Sequence, residues 1–193
     1  MPRVCCDRCG RPQGHCLCGL IPNLQSRTRV LVLQHPSEAG HALNTARLAV
    51  LGLANAELVV GERFDASLWQ RPGYRPCLLF PGEPEPSTEP DDSPRLLIVP
   101  DGTWRKARLL LHLNPTLAAL PRVSLSATGP SNYRLRKAPG PGALATVEAI
   151  VQALEQLEAP AQFTDLLKPF DALIEGQIRA MGAETYARNH QRQ

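Results

Sequence analysis

The chain has 193 residues, 43% of them hydrophobic, which suits one domain with a real core and is too short for two large ones. Its 21 basic and 18 acidic residues leave a net charge of +3, far from a polybasic composition, so the total alone selects no partner. Proline, at 19 residues, runs at about twice its usual share of roughly 5%, and six cysteines complete the inventory.

The start, Met1 to Cys6, shows no apolar stretch of the kind a secretory leader needs. No run approaches the ~18 apolar residues of a membrane span. The expectation is a soluble cytoplasmic protein in a reducing compartment, where clustered cysteines favour metal over disulfides.

Residues 1–22 are rich in Cys, Gly and Pro and carry no pattern for a long helix or strand. Within them Cys6-x2-Cys9-x6-Cys16-x-Cys18 sets four thiols along 13 residues, with Gly10, Pro12, Gly14 and Gly19 supplying turns. Four soft ligands brought together by turns suit a tetrahedral zinc ion, and binding it would fold a segment that has no apolar core of its own. Cys5 offers an alternative to Cys6 as first ligand. With all four positions filled by protein, such a metal is structural. Residues 23–193 then form the second unit.

Arg29–His35 is apolar and rich in β-branched residues, as a buried strand is. Thr45–Ala54 has helical spacing at Ala46, Ala49, Val50 and Leu53, and Glu57–Val60 reads as a second strand. Cys77–Phe80 and Arg95–Val99 are two more, each stopped by a proline, Pro81 and Pro100, and Arg122–Ser126 is a weaker fifth. Cys77, inside an apolar strand, reads as a small buried hydrophobe. Helices are expected over Trp104–His112 and Val147–Glu158, with Thr146 giving the second its cap oxygen. Thr164–Tyr186 is helical in pattern, with Pro169 breaking or kinking it. Apolar strands alternating with amphipathic helices predict an α/β domain with a mainly parallel sheet flanked by helices. Pro72–Pro94 holds seven prolines in 23 residues, and its acidic part, 83–94, reads as a surface loop, mobile at Glu85–Ser93.

The chemistry concentrates where the strand ending at Val99 passes through Pro100-Asp101-Gly102-Thr103 into a helix at Trp104. Ligands of open α/β sheets collect at the carboxyl ends of strands, and a new helix brings unpaired N–H groups. Asp101 or Thr103 acting only as a helix cap is the bland alternative. Leu79-Phe80-Pro81-Gly82 repeats the strand-end pattern, and Ser131 to Lys137 is a basic loop with one aromatic, Tyr133. Gly140-Pro141-Gly142, the one G-x-G, lies in a proline loop and follows no strand, which disfavours a Rossmann fingerprint.

Taken in order, these residues resemble the DTW-domain proteins. The likeness rests on the four-cysteine opening, His35-Pro36-x-Glu38 with Thr45, the Leu79-Phe80-Pro81 loop, Asp101-x-Thr103-Trp104, Tyr133-Arg134-Leu135-Arg136, and Thr146-x-Glu148-Ala149. The acidic insert at 83–94 falls outside that pattern. The resemblance implies a SPOUT-related fold with a knot-like crossing in the C-terminal half, a rare topology. It also implies a tRNA-uridine aminocarboxypropyltransferase using S-adenosylmethionine. On that reading Asp101 is the general base for uridine N3. The cofactor lies against Leu79, Phe80, Pro81, Pro100, Gly102, Thr103, Arg134, Leu135, Arg136, Ala145 and Thr146. Arg136 pairs either with the cofactor carboxylate or with an RNA phosphate. Trp104 is read as a packed anchor under the loop rather than a base-stacking platform, and His35 either orients the site or is satisfied by backbone.

Residues 101–147 hold seven basic residues and one acid, Asp101, so the modest total charge conceals a basic segment. Arg105, Lys106, Arg108 and Lys137 are the expected RNA contacts, with tRNA as partner and a monomer as the assembly. Two rivals stand beside this reading: an RNA methyltransferase or ribosomal-RNA transferase on the same scaffold, and a non-catalytic zinc RNA-binding module.

Overall fold

The computed structural model describes residues 4–41, 43–83, 93–125, 131, 144–182, 185, 186 and 188. Five strands, β1 (Arg29–Gln34), β2 (Ala56–Val60), β3 (Arg75–Leu79), β4 (Arg95–Asp101) and β5 (Arg122–Val123), form one parallel sheet in the order β2-β1-β4-β3-β5. The helices are α1 (Ala46–Gly52), α2 (Trp104–Leu113), α3 (Pro115–Ala118), α4 (Thr146–Leu157) and α5 (Lys168–Met181).

Both faces of the sheet are covered, which is why its central strands are continuously apolar rather than alternating. Val30, Val32, Leu97 and Val99 face one way, into a core shared with α1, α4 and α5. Their neighbours Leu31, Leu33, Leu96 and Ile98 face the other way, toward Trp69, Leu111 and Leu117. Cys77 is buried in the first of these cores, where loss of hydration pushes its thiol up to about 11, the state of an inert hydrophobe.

The chain leaves β1 through α1 toward β2 on one side, and leaves β4 through α2 and α3 toward β5 on the other. The carboxyl ends of β1 and β4, neighbours in the sheet, are therefore a point where the winding reverses. Such a point opens a crevice between diverging loops.

Four sequence expectations change. β4 continues through Pro100 to Asp101 instead of stopping at Val99. The β3–β4 register ends at Leu78 opposite Ile98, so the missing N–H of Pro100, which would point toward β3, removes no ladder bond. β5 ends at Val123 rather than Ser126. The N-cap of α4 is Ala145, and Thr146 is its first helical residue, its hydroxyl turned elsewhere. Pro169 sits in the first turn of α5, after a 3-10 turn at Thr164–Leu167, where the lost N–H is harmless. The loop expected at 83–94 lies mostly outside the described residues, as do Tyr133 to Lys137 and Gly140 to Gly142.

Candidate functional site

Asp101 is the last residue of β4 and only 7% exposed. Parallel register sets it beside Gln34, the last residue of β1. Gln34 Nε2 donates to Asp101 Oδ2 at 2.6 Å, and the Thr146 hydroxyl donates to Oδ1 at 2.5 Å. Two donors from different elements thus fix the plane of one buried carboxylate at the reversal point of the winding. Thr103, not Asp101, is the N-cap of α2, its hydroxyl accepting from the Lys106 N–H. The bland alternative holds for Thr103 and fails for Asp101.

Gly102 follows with φ of +156°, and a Cβ there would stand 3.1 Å from the Lys106 Cβ, so the turn at the site is built for glycine. His35, one residue past β1, donates its backbone N–H to the Asp101 carbonyl at 3.0 Å. Its Nδ1 meets the Ser37 N–H and hydroxyl, and its Nε2 lies 2.9 Å from Glu62. The imidazole is held by its own turn and by Glu62, and it orients the loop beside Asp101.

Around this centre Leu79 ends β3, followed by Phe80 and Pro81, and the start of α4 brings Ala145 and Thr146. Phe80 donates its N–H to the Val123 carbonyl, and its ring takes the edge of Trp104 at a centroid distance of 5.7 Å. The Arg122 guanidinium lies 5.2 Å from the Phe80 centroid. Trp104 is 43% exposed, which overturns its reading as an anchor packed under the loop. Arg105 and Arg108 are exposed on the same helix. Lys106 instead forms an ion pair with Glu38 at 2.8 Å, tying α2 to the turn at 36–38. Arg134, Leu135, Arg136 and Lys137 lie outside the described residues.

The Sγ atoms of Cys6, Cys9, Cys16 and Cys18 all lie within 4.8 Å of one another, and Cys5 stands outside the group. Cys6 and Cys18 are 3.6 Å apart and Cys9 and Cys16 3.8 Å. A tetrahedron with metal–sulfur bonds of about 2.3 Å has edges of about 3.8 Å, so the donor set fits zinc in chemistry and in size. The N–H groups of Cys9 and Arg8 point at the Cys6 sulfur and lower its pKa, while Gly10, at φ +72°, closes that turn. Burial opposes ionisation of Cys9, yet N–H groups of Leu17 and Arg11 bring its thiol down to about 6. Cys18 goes the other way, pushed up to about 12 by burial and by the neighbouring thiols. Four crowded thiols without a cation share negative charge poorly; a dication removes that conflict. The segment docks through Cys9, Leu17 and Ile21 on Leu48 of α1 and Leu173 of α5. Arg47 donates to the carbonyls of Arg8 (2.9 Å) and Asp7 (3.4 Å).

A family model described as the DTW domain matches residues 3–178. The chain belongs to the DTW domain family. Among curated proteins this DTW domain is 35% identical over 188 residues to tRNA-uridine aminocarboxypropyltransferase 2 of Drosophila melanogaster, covering 90% of this chain and 74% of the fly protein. It is 31% identical to the Mus musculus protein of the same name, over 90% of this chain and 63% of the mouse protein. It is 29% identical to tRNA-uridine aminocarboxypropyltransferase A of Arabidopsis thaliana, over 81% and 73%. No solved structure matches it. Among the described residues no helix is long and apolar enough to cross a membrane.

Sequence reasoning gave no role to three residues that organise the DTW domain, although Glu148 stood in one of its motifs. Gln34 looks like the polar end of a strand, and only the parallel register reveals it as a ligand of Asp101. Glu148, buried at the third position of α4, accepts from the Ala145 N–H (2.7 Å) and the Ser131 hydroxyl (2.6 Å), so it pins the start of the basic loop to the helix that carries Thr146. Asn114 is buried between α2 and α3, donating to the carbonyls of Glu62 and Leu110 and accepting from the Phe64 N–H. A Pro after Asn at a helix junction is the signal that was available for it.

Proposed function

We propose that this chain is a tRNA-uridine aminocarboxypropyltransferase acting in the cytoplasm as a monomer. It moves the 3-amino-3-carboxypropyl group of S-adenosylmethionine to N3 of a tRNA uridine and releases methylthioadenosine. The relatives named for this activity match 81–90% of the chain. The observation that carries the reading is the Asp101 carboxylate, buried at the reversal point and aimed by Gln34 and Thr146.

The residues present fit a sulfonium nucleoside. Half-buried Phe80, just past the end of β3, gives an apolar edge for the adenosine beside the crevice, and Asp101 is kept for the uridine. Leu79, Phe80, Pro81, Pro100, Gly102, Thr103, Ala145 and Thr146 would hold the cosubstrate, joined by Arg134, Leu135 and Arg136. S-adenosylmethionine supplies an electrophilic carbon whose leaving group departs as a neutral thioether.

The demanding partner is uridine, whose N3 carries a proton and a delocalised lone pair. A carboxylate oxygen has two lone pairs, so each Asp101 oxygen can accept the N3 proton while keeping its donor from Gln34 or Thr146. The N3–C bond forms as the C–S bond breaks, and the proton ends on Asp101. Because the methyl carbon competes for attack, the strand-end loops must aim the aminocarboxypropyl arm at N3 and cover the methyl.

Zinc, held by Cys6, Cys9, Cys16 and Cys18, has a structural role, since four protein thiolates leave no coordination position for substrate. Residues 1–22 are then a metal-folded segment on a catalytic domain of 23–193. SPOUT kinship, with a knot-like crossing in the C-terminal half, belongs to the same proposal, supported by the all-parallel sheet with its site at the carboxyl edge. Incubation with S-adenosylmethionine and unmodified tRNA, followed by nucleoside mass spectrometry, tests it. Uridine heavier by one aminocarboxypropyl group and free methylthioadenosine are expected. A methylated nucleoside with S-adenosylhomocysteine would replace this function with methyl transfer.

A further inference from the structure

We infer that Trp104 is a stacking platform for an unpaired base of the RNA beside the target uridine. This inference rests on the proposed function. An aromatic ring of this size at 43% exposure leaves much of its apolar surface in water, an unfavourable arrangement unless something covers it. Its contact with Phe80 is edge-to-face, at an interplanar angle of 71°, so Phe80 steadies the indole without being stacked on it. Phe80 is itself held, by its N–H bond to Val123 and by Arg122 near its ring. The indole is thus a braced plate.

Charge around it selects the occupant. Arg105 and Arg108 are exposed on the same helix, one and four residues further on, where a phosphate backbone would need them. No acidic residue occurs in the sequence between Asp101 and Glu148. Two carboxylates of the neighbouring turns are engaged: Glu38 with Lys106 and Glu62 with His35. A polyanion carrying exposed π-faces satisfies both features; an acidic peptide would meet the arginines and leave the indole bare. Trp104 lies three residues past Asp101 at the opening of α2, so a base on it sits next to the reacting one. Trp104 touches none of the reacting atoms and acts as a positioning residue.

The chain has two tryptophans, and they differ in a useful way. Trp69 is 1% exposed, buried in the core that Leu111 of α2 also enters, whereas Trp104 is 43% exposed. In a Trp69→Phe protein the indole emission reports on Trp104 alone. Titration with unmodified tRNA transcript, and with oligouridylate as a single-stranded probe, should quench that emission, and S-adenosylmethionine binding should be unchanged. If Trp69→Phe fails to fold, the same titration of the otherwise unaltered chain against Trp104→Leu isolates the same signal by difference.

Trp104→Leu should weaken tRNA binding roughly 5- to 150-fold, the range expected for one lost base stack, and should raise KM for tRNA more than it lowers kcat. Trp104→Phe should recover most of the affinity. Binding of tRNA at full affinity by Trp104→Leu, or binding without quenching, would overturn the platform and leave the proposed function standing. Failure of the unsubstituted protein to bind tRNA would overturn both.

Discussion

Replacing Asp101 by Asn separates its geometric part from its acid–base part. The amide has the carboxylate's shape, and its oxygen can still accept from Gln34 Nε2, which lies 2.6 Å from the native oxygen. Its NH2 would face the Thr146 hydroxyl, which can rotate to accept rather than donate. One hydrogen bond is exchanged for another of opposite sense, so stability should change by no more than about 1 kcal/mol. Asp101→Ala differs: it strands two donors in a buried setting, at roughly 1–3 kcal/mol each. Against that small structural effect, the Asn variant has no group to take the N3 proton. Loss of a general base costs about 10²- to 10⁴-fold in rate, or roughly 3–5 kcal/mol in the barrier. The assay is single-turnover formation of methylthioadenosine on tRNA, with S-adenosylmethionine affinity followed by calorimetry. The expected pattern is near-native affinity with transfer reduced by those factors. A transfer rate within a few-fold of the native enzyme would refute the base assignment. Loss of cosubstrate binding in step with activity would make Asp101 a binding group instead.

Three further outcomes follow from packing and from the metal site. Gly52→Ala would set a Cβ 2.5 Å from Leu166 Cδ2 and 3.4 Å from Pro22 atoms; Leu166 is fully buried, so overpacking should lower stability by about 1–3 kcal/mol, and an unchanged urea midpoint would show that this contact yields freely. Asn114→Ala removes three hydrogen bonds and leaves the Phe64 N–H and two carbonyls unpaired, so a loss of about 2–4 kcal/mol in denaturant titration is expected; a loss below 1 kcal/mol would mean water replaces the side chain. Treatment with a chelator should speed tryptic cleavage after Arg8 several-fold while the circular dichroism of the sheet persists, and digestion indifferent to chelator would argue against a bound ion.

The parallel sheet was readable in Val30 to Leu33 and Leu96 to Val99 because both faces of it are buried, which leaves an unbroken apolar run. The end of β4 was not, since the rule that proline stops a strand ignores which edge is paired, and only pairing shows that β3 has already ended beside Pro100. Asp101 stood out by its place after an apolar strand. Its two donors did not, because Gln34 and Thr146 are ordinary polar residues whose meaning arises from register and from where α4 begins. The thiol cluster was legible from spacing alone, since ligands bound by tight turns are close in sequence; the choice between Cys5 and Cys6 as the one that joins it was not. Trp104 was misjudged for a related reason: a tryptophan one turn from a buried strand is usually core, and burial depends on what the helix faces.

The hydrogen bonds that hold Asp101 reach back 67 residues to Gln34 and forward 45 to Thr146. A site spread so widely along the chain has a history as well as a geometry. Local turns can close in microseconds or less, but contacts between distant residues must wait for loop closure, and parallel pairing makes all of them distant. During synthesis at about 5–20 residues per second, the ribosome takes roughly 2–9 s to pass from Asp101 to Thr146. Through that interval the carboxyl ends of β1 and β4 stand without the helix that completes them. A nascent chain therefore lacks the Thr146 donor to Asp101 until α4 emerges, and the carboxylate is fixed in a single late step rather than gradually as the sheet assembles.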